Sequence, residues 1–98
     1  MSLPVVFRRS ARAEFDDAAD WYEQRRAGLG AAFTAAVQRV LGQIAAQPDF
    51  YPQVYQDVRE ALVAGYPYCA YYREEPDRVV VLSVFHTARD PSIWQGRA

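Results

Sequence analysis

The sequence predicts an α+β domain of two layers, a β-α-α-β-β-β chain with a helical hairpin packed on a small antiparallel sheet. Three observations lead there. Leu29, Phe33, Ala36, Val37, Val40, Leu41 and Ile44 recur at helical spacing. From residue 54 the period changes to two, in runs divided by Ala64–Pro67 and Glu74–Asp77. The chain has 98 residues, 51% of them hydrophobic, which is enough for one core and one domain, 1–98.

Each element has its own reason. Residues 4–8 are β-branched and aromatic, a short strand. Ser10 then stands where a hydroxyl can cap a helix. Phe15, Ala18, Ala19 and Tyr22 share one face of that helix, while Asp16, Asp20 and Glu23 share another. With Asp17 these acids read as a solvated face and not as a metal cluster. Gly28 and Gly30 break the helix, and a second runs over 29–47 until Pro48. The aromatic loop 48–52 is expected to pack on the core. Val58–Val63, Tyr68–Arg73 and Arg78–His86 are the remaining strands. The last is almost continuously apolar, as a strand covered on both faces must be. Asp90-Pro91-Ser92-Ile93-Trp94 reads as one helical turn with Asp90 as its cap. The expected core is Val6, Phe15, Tyr22, Phe33, Val37, Val40, Leu41, Ile44, Val79, Val81 and Phe85.

Composition excludes several classes of function. One cysteine, Cys69, allows no internal disulfide, and one histidine, His86, allows no Cys/His zinc site. No apolar run approaches the roughly 18 residues of a membrane helix, and the opening residues lack the order of a secretory signal. A cytoplasmic chain without membrane association is the expectation. All 11 basic residues are arginine and the net charge is −1. Residues 1–47 hold six Arg against five acids, and residues 48–98 hold five against seven. Such a balance speaks against a broad footprint on nucleic acid and against direct sequence-specific binding to it. The absence of lysine removes one class of catalytic base. Nucleotide, metal and thiol motifs are absent, and Gly28-Leu29-Gly30 lacks the preceding strand of a dinucleotide turn, so no cofactor is expected.

The candidate residues cluster in the second half. His86 ends the valine-rich strand just before Arg89. An imidazole near a guanidinium can serve acid–base chemistry or hold a phosphate; it can equally be a structural ring satisfying a turn carbonyl. Arg59 is a second cation on a strand. Alternation places Tyr66, Tyr68 and Tyr72 on one sheet face and Tyr71 on the other. Interleaved Tyr and Arg serve as anchors for a protein partner or as platforms for bases.

The order of these pieces resembles the RelE/ParE superfamily of type II toxin–antitoxin toxins. The resemblance spans nearly the whole chain. It is carried by Val-Phe-Arg-Arg-Ser-Ala-Arg-Ala-Glu-Phe (6–15), Tyr-Glu-Gln-Arg-Arg-Ala-Gly-Leu-Gly (22–30), Gln-Pro-Asp-Phe-Tyr-Pro (47–52), Val-Arg-Glu (58–60), Gly-Tyr-Pro-Tyr (65–68), Tyr-Tyr-Arg (71–73), and a valine-rich strand closing on His-Thr-Ala-Arg-Asp-Pro (86–91). It implies a sheet packed on a helical hairpin, a bacterial cytoplasmic protein and a cognate antitoxin wrapped around it. RelE-like members cut messenger RNA on the ribosome; ParE-like members act on DNA gyrase without cutting RNA. Pro67 and Thr87 stand where the nuclease branch carries arginine, and its lysines are missing. These departures place the chain in the ParE-like branch, a gyrase inhibitor with no catalysis of its own. Two alternatives remain: a ribosome-dependent endoribonuclease using Arg59, His86 and Arg89, and a non-toxic interaction module. The partner-binding residues expected are Arg59, Tyr68, Tyr72, Arg73, His86, Arg89 and Trp94.

Overall fold

The computed structural model describes residues 2–98. In chain order the elements are β1 (Val5–Phe7), α1 (Arg9–Arg25), α2 (Leu29–Ala46), β2 (Gln53–Tyr55), β3 (Val58–Leu62), β4 (Tyr68–Glu75), β5 (Arg78–His86) and α3 (Ser92–Gln95). The helical hairpin covers one face of a sheet with the spatial order β1-β5-β4-β3-β2, the α+β layering expected.

The sheet is mixed, not wholly antiparallel. β2 to β5 form an antiparallel meander, but β1 runs parallel to β5, with Val5 opposite Val79 and Phe7 opposite Val81. Alternation of side chains carries no information on strand direction, and β1 takes the free edge of β5 after the helices have returned the chain across the sheet. β2 was not expected as a strand. Its three residues are too few to show a period, and its register with β3 is interrupted.

β1 also corrects the core. Val6 is 38% exposed, while Val5 and Phe7 pack inward. A three-residue strand fits either face, and pairing with β5 decides which. Ser10 is no cap: α1 begins at Arg9, and no side chain caps it. The Arg8 N–H still donates to the Val81 carbonyl, while the Arg8 carbonyl already accepts from Arg12 N–H, so the chain passes from sheet to helix in one residue.

The turn between the helices is built by Glu23. Its carboxylate accepts the Gly28 N–H at 3.1 Å and the Gly30 N–H at 3.0 Å, satisfying donors that the start of α2 leaves unpaired. Gly28 adopts φ 92°, and a Cβ on Gly30 would stand 2.7 Å from the Ala19 carbonyl oxygen. The two glycines thus serve different needs, a left-handed turn and a close helix contact.

Phe15, Phe33, Val37, Val40, Leu41 and Ile44 from the hairpin meet Ala61, Val63, Ala70, Tyr72, Val79, Val81 and Val84 from the sheet. Tyr22 is half-buried at the rim of this core. Phe85 is buried on the opposite face, with Val58, Cys69, Tyr71, Leu82 and Trp94. A bulge lets β5 serve both faces: Tyr71 pairs with Ser83 but Tyr72 with Val81, leaving Leu82 as the extra residue. In the 48–52 loop only Tyr51 packs on the core; Phe50 is 72% exposed. Among the described residues no helix is long and apolar enough to cross a membrane.

Candidate interaction site

The sequence-selected residues fall into three places, with Arg73 outside all of them. At one end of the sheet Tyr68 pairs with His86 across β4 and β5, and their rings meet edge to face at 5.1 Å. Tyr68 also packs against Tyr22 and Phe33. Burial, and secondarily Tyr22, pushes its phenol up, while nearby Arg89 pulls the other way. The His86 Nδ1 accepts the Ala88 N–H at 3.0 Å. The ring therefore satisfies a turn amide, not a turn carbonyl, and an accepting Nδ1 leaves the neutral ring's proton on Nε2.

Arg59 and Tyr72 lie elsewhere. The Arg59 guanidinium donates to the carbonyls of Asp49 (3.2 Å) and Tyr51 (2.5 Å). The Tyr72 hydroxyl donates to the Pro48 carbonyl at 2.6 Å, and burial pushes its phenol up to about 12 against the opposing pull of Arg59. Both side chains tie the loop after α2 to the sheet. Arg59 faces Tyr72 and His86 faces Tyr68, four residues apart on β4, roughly 13 Å at about 3.3 Å per residue. A base, an acid and a phosphate-binding cation must all reach one scissile bond. The trio Arg59, His86 and Arg89 is divided: Arg59 holds the loop after α2, His86 meets Tyr68, and Arg89 lies over Phe85 on the outer face. Arg73 stands apart again, paired with Asp57 at 2.8 Å.

The third place is the outer sheet face. α3 lays Trp94 flat on Tyr71, with ring centroids 4.0 Å apart and planes 15° from parallel. Asp90 accepts the Ser92 N–H at 3.0 Å, capping this turn as the sequence predicts, and that bond holds its carboxyl below the usual range. The Tyr71 hydroxyl donates to Glu60 at 2.8 Å; burial first and this bond second push the phenol well up. Burial likewise pushes the Cys69 thiol up, away from thiolate chemistry. Beside α3 lies a pocket of about 340 Å3 lined by Val54, Glu60, Tyr71, Phe85, Thr87, Arg89, Pro91, Trp94 and Gln95. The Arg89 guanidinium sits 4.9 Å from the centroid of Phe85. The Trp94 indole N–H is buried and has no acceptor among the described residues. An unmatched buried donor costs about 1–3 kcal/mol.

Of the nine lining residues only Arg89 and Trp94 were anticipated. The pairing of Glu60 with Tyr71 could be reached from strand alternation once β3 and β4 were in register. A second unforeseen group closes the edge of β5 beyond the end of β1. Glu14 on α1 accepts the Ser83 hydroxyl (2.7 Å) and the Val84 N–H (3.3 Å), and pairs with Arg97 at 2.9 Å. Arg97 also donates to the Leu82 carbonyl at 3.1 Å. No local pattern announces contacts between residues 14, 83 and 97.

This geometry can now be set beside known proteins. No curated protein matches the chain. Among solved structures, the chromosomal ParDE TA system from P. aeruginosa superposes with a TM-score of 0.64 at 19% identity, covering 87% of this chain and 96% of that one, a likeness of fold. The sequence model of the family described as the ParE toxin of the type II toxin–antitoxin system, parDE, matches residues 5–91, which takes in α1, α2, all five strands and the β5 end with His86 and Arg89 but stops short of α3. The chain belongs to the ParE toxin family of type II toxin–antitoxin systems.

Proposed function

We propose that this ParE-family chain works in the cytoplasm as the toxin of a pair, neutralised by a cognate antitoxin, and that it arrests growth by inhibiting DNA gyrase without catalysis of its own. Family membership supports the toxin role and the antitoxin partner. The separation of Arg59 from His86 and Arg89 carries the non-catalytic part, because phosphodiester cleavage needs its groups in one place. The net charge of −1 and the absence of lysine support a protein target over a polyanionic one. Tyr68 and His86 at one end of the sheet, and Arg89 beside Trp94 at the outer-face pocket, are the contact residues we favour for partners.

The antitoxin reading draws on the edges of the sheet. β1 and β2 each have a single neighbour, and unpaired strand edges accept an added strand. Trp21, Phe50 and Leu62 are half or more exposed and offer apolar contacts nearby. A partner that binds only the native state raises its apparent stability. Co-expression with the neighbouring reading frame should raise both solubility and the thermal midpoint.

Target and mechanism are tested together in expressing cells. The expected result is blocked DNA supercoiling with intact transcripts. Cleaved transcripts that vanish on His86→Ala or Arg89→Ala, with supercoiling unaffected, would replace the gyrase reading with a ribonuclease. Growth unaffected in the absence of any antitoxin would leave the non-toxic interaction module.

A further inference from the structure

The outer-face pocket has an unusual balance of hydrogen-bonding groups. Its one acidic side chain, Glu60, already accepts the Tyr71 hydroxyl. The charged group left over is a donor, Arg89. Arg89 has no carboxylate within 4.0 Å among the described residues, whereas Arg12, Arg73, Arg78 and Arg97 each have one. Its guanidinium lies over the Phe85 ring, 4.9 Å from the centroid, and its side chain is exposed. The Thr87 hydroxyl and the Gln95 amide share the same rim, and the Trp94 indole N–H in the wall is unmatched. The remaining walls, Val54, Phe85 and Pro91, are apolar.

The size and the surroundings narrow the occupant. About 340 Å3 lies at the small end of ligand sites, which run to about 1,000 Å3. The shoulders are apolar too. Val54 is 43% exposed, and Ile93, beside Trp94, is 41% exposed. Leu62, 60% exposed, pairs with Cys69, which pairs in turn with Phe85. A polyphosphate strand would bring several charges to a single cation here. A protein segment would meet apolar shoulders around one free bidentate donor, the arrangement that suits a carboxylate.

We propose that this pocket docks an acidic side chain of a partner protein, an Asp or Glu flanked by apolar residues, with its carboxylate on Arg89 and its neighbours on Val54, Leu62 and Ile93. This assignment is independent of which partner occupies it, so it stands or falls apart from the gyrase reading.

Trp94 supplies the readout. Its indole N–H signal in a nitrogen–proton correlation spectrum is told from that of Trp21 by Trp21→Phe. The purified chain is titrated with the capped tripeptide acetyl-Leu-Glu-Val-amide, with its glutamine counterpart, and with a uridine dinucleotide. The acidic peptide should shift the Trp94 signal, the glutamine peptide should bind at least tenfold more weakly, and the dinucleotide should leave the signal in place. Arg89→Gln should abolish the response with an unchanged thermal midpoint, because the side chain is exposed, while Arg39→Gln on α2 should keep it. Equal shifts from both peptides, a response only to the dinucleotide, persistence in the Arg89 variant, or no response to the acidic peptide would each overturn the assignment.

Discussion

The two faces of the sheet are finished to different degrees. On the helix face, Phe33, Val37 and Ile44 of α2 are fully buried against α1 and the sheet, and the buried Tyr72 hydroxyl has its acceptor. On the outer face, the four-residue α3 adds Trp94 to five buried sheet residues, and that largest side chain keeps an unmatched N–H. The helix face buries the larger core, and the outer face, with an exposed guanidinium beside a pocket, is where we place partner contact. A fold of this size keeps exposed apolar and unmatched polar groups where they have a use.

The sharpest way to break this contrast is to truncate both faces. Phe33→Ala should cost about 3–5 kcal/mol in denaturant unfolding, the usual range for a buried aromatic. Removing the link around the β5 edge should rank next. Glu14→Ala strands the Ser83 hydroxyl, the Val84 N–H and the Arg97 guanidinium together, for about 2–3 kcal/mol. Trp94→Ala should cost only about 2 kcal/mol, because a four-residue helix can settle and the unmatched donor leaves with the ring. Trp94→Phe sharpens the point: it keeps an apolar ring and removes the orphan N–H, so the change should stay within about half a kcal/mol of zero. A Trp94→Ala cost equal to that of Phe33→Ala would erase the distinction between the faces.

The smallest effect is a pH dependence. The bond from Arg73, opposed by modest burial, holds the Asp57 carboxyl below its ordinary value of 3.8. A lowered native pKa contributes stability that is fully present above the ordinary value and is lost as pH falls through the native one. Asp57 is more than half exposed, so solvent reduces the effect to a few tenths of a kcal/mol. Comparing the parent with Arg73→Gln below pH 4 should show the parent losing slightly more stability on acidification.

The layers were legible where a pattern repeats. Helix α2 shows about four turns of apolar spacing, and β5 a run of valines, so the sequence places both within a residue or two. Patterns of three residues failed: Val6 was assigned inward in place of Val5 and Phe7, and β2 passed unseen. Ser10 has a capping side chain, but the strand's hydrogen bonds carry the chain into α1 with Arg8 at the boundary. At the site, Arg89 and Trp94 were found by chemistry, whereas Glu60 and Tyr71 needed the register of β3 on β4. Arg59 and Tyr72 have the chemistry of contact residues, yet the loop after α2 engages both. Which arginine is free depends on where backbone carbonyls end up, and that is a tertiary fact.

The parallel pairing of β1 sets a schedule for the nascent chain. During synthesis Val5–Phe7 emerges with no strand to join, since its one neighbour is Val79–Val81. The α1–α2 hairpin can form early from contacts close in sequence, but the sheet cannot accept β1 until β5 has left the ribosome, and Arg97, which closes the β5 edge, emerges later still. A ribosome stalled before residue 79 would therefore hold a helical hairpin with an idle first strand, and a premature stop would release a polypeptide without a finished sheet.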